Sequence, residues 1–221
     1  MSVWALLVAA GSGERLGEER PKAFVRLGEL PLLAEPLRRL DESSWIDAIV
    51  VVVPVGWEEP AILLAEELAA TKVVASVTGG ATRAESVRAA LAEVPEDALV
   101  VLVHDAARPL VSDTVIERVL GPLSEGWDGV VPALALADTV KRVESDRVVE
   151  TVDREGLVAV QTPQAFLAPT LKAAYAGEIA GATDCSSLVE VCGGRVKVVE
   201  GDPRLVKVTT PAELELVASW L

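Results

Sequence analysis

The sequence predicts an α/β fold, a largely parallel sheet covered by helices on both faces, and three observations lead there. Short β-branched apolar runs alternate with helical patterns from the start of the chain. Those runs are continuous rather than alternating, as expected of strands buried on both faces. At 221 residues, 51% hydrophobic and 24% charged, the chain is long enough to bury such a core in one domain.

Strands are expected near Val3–Ala9, Ala48–Val53, Lys72–Val77, Leu99–His104 and Gly129–Ala133. Helices are expected between them near Leu32–Leu40, Ala61–Ala70, Ala84–Ala92 and Thr114–Leu120. Residues 138–155 break the rhythm: Asp138–Val143 and Arg147–Val152 alternate polar and apolar around Glu-Ser-Asp, which predicts a charged β-hairpin arm projecting from the single domain 1–221. A two-stranded ribbon is marginal alone, so a second subunit is expected to cover it. The chain then returns through Val158–Val160, helices near Pro169–Ala180 and Ser186–Val191, and a strand at Val196–Val199. Thr210, Pro211 and Glu213 open a last helix as a capping box with proline at its first position.

Composition narrows the function classes. A net charge of −14 argues against a nucleic-acid polymer as partner, because such surfaces are basic. Runs such as Ile49–Val53 and Leu99–Val103 are too short to cross a bilayer, and the first residues lack the basic segment and cleavage site of a signal peptide, so a cytoplasmic protein with no membrane partner is expected. Cys185 and Cys192, placed in one helix, would stand about 10 Å apart at 1.5 Å per residue, too far to bridge.

Leu6–Lys22 carries the clearest chemistry: an apolar strand runs into a loop with Gly11, Gly13 and Gly17 and with Arg15, Arg20 and Lys22. Glycines there are expected to take positive φ and bring backbone N–H groups to an anion, with the cations supplying charge at the sheet edge where α/β proteins bind nucleotides. Two known patterns fail. Glu18 follows Gly17 where a P-loop needs lysine, and Leu16 stands at the last glycine position of the dinucleotide fingerprint. A solvated surface loop is the plain alternative.

In Thr78–Val87 two glycines end a strand, and Thr82 with Glu85 fit a capping box, which leaves Arg83 and Ser86 with work to do. The helix start beyond Gly80 can receive a base or a phosphate. In Val101–Pro109, Asp105 sits at the carboxyl end of a strand expected to be central, where it can hold Mg²⁺ together with substrate phosphates, and Arg108 can hold a phosphate. His104, the only histidine, reads better as a buried ring satisfied by backbone. Both glutamines of the chain fall in Gln161-Thr162-Pro163-Gln164, which points to a specific hydrogen-bonding role, with a turn as the alternative.

Taken in order, A-A-G-S-G-E-R-L…P-K, G-G-x-x-R-x-E-S-V, V-H-D-A-A-R-P, D-T-V-K, V-D-R-x-x-L, x-T-P-Q-x-F, T-D and V-K-V-T cover nearly the whole chain. The set resembles the 2-C-methyl-D-erythritol 4-phosphate cytidylyltransferases of the non-mevalonate isoprenoid pathway. The resemblance implies a Rossmann-like nucleotide-diphospho-sugar transferase fold and a homodimer joined through the 138–155 arm. It implies that Arg15, Lys22 and Lys207 hold the CTP phosphates and stabilise the pentacovalent α-phosphorus, and that Ala9, Ala10, Gly11, Gly13, Gly80 and Ser86 meet the nucleotide. Asp105, Arg108 and Thr162 would meet the methylerythritol phosphate, with Thr139 and Arg154 from a neighbouring subunit. Leu16 replaces the usual methionine, and Ala81 stands where many members have an acidic residue beside the base. The same reaction on another polyol phosphate, such as ribitol 5-phosphate, and a non-catalytic nucleotide-binding homologue are the alternatives.

Overall fold

The structure, a computed structural model, describes residues 2–13 and 20–221. Its main sheet starts with β1 (Val3–Val8), β4 (Ala48–Val53), β5 (Val73–Thr78) and β6 (Val100–Asp105). β1 pairs in parallel with β4 on one side and β6 on the other, and β4 with β5. Side-chain alternation along these strands feeds two cores. Val3, Ala5 and Leu7 pack with Leu33, Leu37 and Leu40, around the helix α1 (Ala34–Glu42), and with Ala61 of α2 (Glu58–Glu67) and Val115 of α4 (Asp113–Leu120). Leu6, Val50, Val52, Val101 and Val103 pack on the other face with Val87 of α3 (Arg83–Leu91), Leu171 of α5 (Ala168–Ala176) and Leu188 of α6 (Cys185–Val191). A strand such as β4, buried from end to end, cannot alternate apolar with polar, which is why its sequence is a plain valine run. Each buried valine or leucine contributes roughly 1.5–3 kcal/mol relative to an exposed one.

The second half of the sheet is mixed. β7 (Gly129–Ala135) pairs in parallel with β12 (Val196–Glu200) and antiparallel with β10 (Val158–Val160) and β11 (Gln164–Leu167). β11 also pairs antiparallel with β6, so a strand not expected from the sequence separates β6 from β7. The Thr162–Pro163 peptide just before it is cis. A short hairpin, β2 (Arg26–Leu27) with β3 (Leu30–Pro31), was also not expected. Helices α1 and α2 sit a little off their expected bounds, and α5 stops at Ala176, before Gly177, rather than at Ala180.

A third, smaller core joins distant parts of the chain: Val25, Leu27 and Leu32 pack with Leu110, Val208 and Val217, the last in α7 (Pro211–Ala218). The α7 start has the expected capping box of Thr210 and Glu213. The ribbon expected at 138–155 forms from β8 (Val140–Glu144) and β9 (Arg147–Val152), which pair only with one another among the described strands and bury no residue. Cys185 is buried, Cys192 is exposed, and neither forms a disulfide. Among the described residues no helix is long and apolar enough to cross a membrane.

Candidate active site

From β1 the chain moves outward to β4 and β5 before returning to β6 on the opposite side of β1. Such a reversal opens a crevice at the carboxyl ends of the two strands. A cavity of about 380 Å³ fills it, lined by Ala9, Ala10, Gly11 and Ser12 after β1, by Gly80 to Arg83 and Ser86, and by Lys22, Asp105 and Lys207. Backbone bonds pin its walls: Ala9 N–H to Val52 O at 2.7 Å, Ala106 N–H to Val8 O at 2.9 Å and Gly79 N–H to Val53 O at 2.8 Å. A Cβ on Gly79 would stand 2.4 Å from Ala10 Cβ, so only glycine lets the two walls approach this closely. The Ser86 hydroxyl accepts from Gly80 N–H and donates to Thr82 O, fixing the α3 start, and Thr82 with Glu85 forms the capping box.

The loop after β1 corrects one expectation. Gly13 has φ +78° and lies so close to Lys22 that a Cβ would fall 2.7 Å from Lys22 Cβ. Gly11 is not left-handed, and a Cβ there would meet nothing within 4 Å, so no conformational need for glycine exists at that position. Arg15, Leu16 and Gly17 lie outside the described residues. Lys22 starts a short 3-10 turn whose Ala23 and Phe24 are buried, with the Phe24 ring against Trp57.

A second cavity, of about 430 Å³, lies beside the first and is lined by Arg108, Gln161, Thr162, Gln164, Asp184 and Ser187 among others. Arg83, Asp105 and Lys207 line both cavities. They form a bonded partition: Arg83 Nε donates to Asp105 Oδ1 at 2.9 Å, and Lys207 Nζ donates to Oδ2 at 2.7 Å. Burial alone would raise the Asp105 pKa, but Arg83 and then Lys207 outweigh it and hold the carboxyl well below the usual carboxylate range. Arg108 Nη1 donates to Leu205 O at 2.6 Å, and burial pulls this guanidinium's pKa down, with Asp105 opposing. Three cations therefore surround one carboxylate, and Arg83 Nη2 and Arg108 Nε are buried with no partner among the described residues.

Beneath the partition, His104 Nε2 bonds to Arg108 O at 2.9 Å, which requires the proton on Nε2. Burial lowers the His104 pKa to about 4, so the ring is neutral near pH 7. Nδ1 then accepts from the Thr162 hydroxyl at 3.2 Å, while Thr162 Oγ1 accepts from Asp105 N–H at 3.0 Å. The Thr162 proton is thus committed inside the protein, although the residue lines the second cavity. Gln161 bridges both backbone groups of Asp202, and Gln164 joins Asp184 Oδ2 to Cys185 N–H, so both glutamines act by hydrogen bonding.

The expected residues divide into two sets. Ala9, Ala10, Gly11, Lys22, Gly80, Ser86, Asp105 and Lys207 come together around the first cavity, and Arg108 and Thr162 around the second. Thr139 and Arg154 line neither; both are exposed, and Arg154 Nη1 donates to the carbonyls of Leu136 and Ala137.

A model of the family IspD, 2-C-methyl-D-erythritol 4-phosphate cytidylyltransferase, matches residues 3–221. The chain belongs to this family. It is 48% identical over 221 residues to the 2-C-methyl-D-erythritol 4-phosphate cytidylyltransferase of Nocardia farcinica, covering 100% of this chain and 94% of that one. The crystal structure of the family member from Thermus thermophilus superposes with a TM-score of 0.79 at 31% identity, covering 100% of this chain and 98% of the other. The 4-diphosphocytidyl-2C-methyl-D-erythritol synthase of Anaerococcus prevotii gives a TM-score of 0.84 at 27% identity, covering 99% and 95%. Membership makes the chain a nucleotidyltransferase, and the two adjoining cavities acquire a chemical meaning.

Proposed function

We propose that the protein transfers CMP from CTP to 2-C-methyl-D-erythritol 4-phosphate, giving 4-diphosphocytidyl-2-C-methyl-D-erythritol and pyrophosphate. The observation that carries this reading is the partition of Arg83, Asp105 and Lys207 between two cavities, one against the glycine loop and one against Arg108. A nucleotide in the first and a polyol phosphate in the second meet across it. An oxygen of the monoester attacks the α-phosphorus in line, the bond from that phosphorus to the bridging oxygen breaks, and pyrophosphate leaves with the bonding pair. The monoester is mostly ionised at pH 7, with its second pKa about 6, so no general base is needed. The neutral, enclosed His104 is consistent with that.

The work left to the protein is positioning and charge compensation. Lys22 faces the leaving phosphates, a role that the family resemblance also implies for Arg15, and Lys207 moves between Asp105 and the phosphate oxygens that compete for it. Arg108, buried with an unpartnered Nε, supplies an anion site for the polyol phosphate. Thr162 contributes chiefly by placing Asp105, because its proton is given to His104. Among the described residues lining the first cavity, Asp105 is the only acidic side chain, and its two oxygens keep lone pairs beyond those used by Arg83 and Lys207. That donor set fits Mg²⁺, which commonly takes one or two carboxylates with substrate phosphates. Bound there, the ion would neutralise phosphate charge as a Lewis acid. Thr139 and Arg154 complete the polyol site of a second copy in a homodimer, which gives the exposed ribbon a surface to cover.

The test is pyrophosphate release from CTP. Release is expected only when 2-C-methyl-D-erythritol 4-phosphate is added, and not with ribitol 5-phosphate at equal concentration. Equal turnover with ribitol 5-phosphate would move the assignment to another polyol, and no release with any acceptor would leave a nucleotide-binding protein.

A further inference from the structure

Behind the partition lies a buried chain that the transfer reaction does not itself explain. Cys185, at the first position of α6, is fully buried, and its sulfur accepts from Arg83 Nη1 at 3.4 Å. The hydroxyl of Tyr175, on α5, lies 3.2 Å from the same sulfur. The Cys185 backbone is itself fixed, its N–H donating to Gln164 Oε1 at 3.3 Å. A guanidinium is planar, so a single bond from Nε to Asp105 leaves it free to turn about that contact, whereas a second fixed point at Nη1 sets its plane. Burial raises the Cys185 thiol above its ordinary pKa, with Arg83 opposing, so the sulfur remains a protonated, uncharged acceptor that does not compete with Asp105 for the Arg83 charge.

We propose that Cys185 is a positioning residue for the transfer reaction: its sulfur fixes the Arg83 guanidinium and, through it, the Asp105 carboxylate between the two substrates. Removing the sulfur leaves Nη1 buried without an acceptor, beside Nη2, which already has none among the described residues. The guanidinium then turns to find partners, and Asp105 and Lys207 lose their register with it. Cys185 does not line the nucleotide cavity, so its effect on CTP is limited to what passes through Arg83, Asp105 and Lys207.

This inference rests on the proposed cytidylyltransferase reaction, so wild-type turnover is measured first; its absence would defeat that reading and not this one alone. With turnover present, Cys185→Ala is expected to lower kcat about tenfold, the scale of one hydrogen bond to a charged group. KM for CTP should change less than kcat, because the loop after β1 and Gly80 stay in place, and Cys185→Ser, whose hydroxyl accepts the same bond, should recover most of the rate. In an Arg83→Lys background, which lacks the fork, adding Cys185→Ala should change kcat by less than about twofold, because coupled residues are not additive. Thermal midpoints accompany each variant. Should Cys185→Ala fail to fold, Cys185→Val repeats the test with the space filled and no good acceptor supplied. Unchanged kcat in Cys185→Ala, an equal loss in the Arg83→Lys background, or no recovery in Cys185→Ser would each overturn the proposal.

Discussion

The partition between the cavities and the ribbon of β8 and β9 both carry side chains expected to meet the acceptor, and they hold them in opposite ways. Asp105 is only 6% exposed and is gripped at both oxygens and at its backbone N–H. Thr139 and Arg154 are exposed, and Arg154 is satisfied by carbonyls of its own strap. A buried charge that loses a partner is strongly penalised, whereas a solvated surface pair contributes little. Asp105 is therefore held by the fold itself, while the ribbon charges are held by solvent and by neighbours in or beside the ribbon. Preorganisation belongs to the strand ends, and completion by a second chain is what the proposed homodimer adds.

The largest expected effect lies on the preorganised side. Lys22→Ala should lower kcat by about 10² or more with the fold intact, because the residue lines the nucleotide cavity and only its neighbours Ala23 and Phe24 are buried. A loss confined to KM in steady-state kinetics would show that Lys22 binds without assisting transfer, and the contrast between the two regions would weaken.

A mixed-dimer experiment probes the other side. Lys22→Ala and Arg154→Ala are each expected to be nearly inactive as homodimers. Mixed, about half the dimers are heterodimers, each with one site that combines an intact Lys22 and an intact Arg154, so roughly a quarter of wild-type activity should return. No recovery on co-refolding, with heterodimers present by mass spectrometry, would place both residues in one chain's site.

The effect least tied to turnover concerns pH. His104 has a folded pKa of about 4 against an ordinary 6.5, so between these values the unfolded chain binds a proton that the folded chain does not. Stability then falls as pH drops from 6.5 towards 4, by about 3 kcal/mol at most from this ring, and below 4 the depressed carboxyls of Asp105 and Asp184 take over the slope. Denaturant midpoints across this range should show the slope, and His104→Gln should flatten it. Arg142→Ala, which breaks the exposed Arg142–Glu150 pair on the ribbon, is the control and should leave the profile unchanged.

How much of this was legible in sequence depended on whether the determinant was local. The apolar runs of β1, β4 and β6 announced their burial, and the capping boxes at Thr82 and Thr210 announced their helices. β11 stayed hidden because Gln164–Leu167 is short and opens with a buried amide, whose place among strands is decided by Asp184 and Cys185 far along the chain. Asp105 was visible from its position at a strand end. Its capture by Arg83 and Lys207 was not, since that depends on how α3 and the segment after β12 meet β6 in space. The glycine requirement was correctly read at Gly13 and misread at Gly11, because a glycine in a loop reports either a backbone need or mere tolerance, and sequence does not separate the two.

The small third core has a consequence for the order of events during synthesis. Val25 and Leu27, just after Lys22, pack with Val208 and Val217, which bracket the segment after Lys207. The two lysines at the nucleotide cavity are therefore anchored by the same handful of side chains, drawn from near the beginning and the far side of the sequence. A ribosome delivers β1, β4, β5 and β6 before that far side of the sequence. Val208 and Val217 are made late, so the cluster that anchors the two lysines closes only after the parallel strands β1, β4, β5 and β6 have been synthesised.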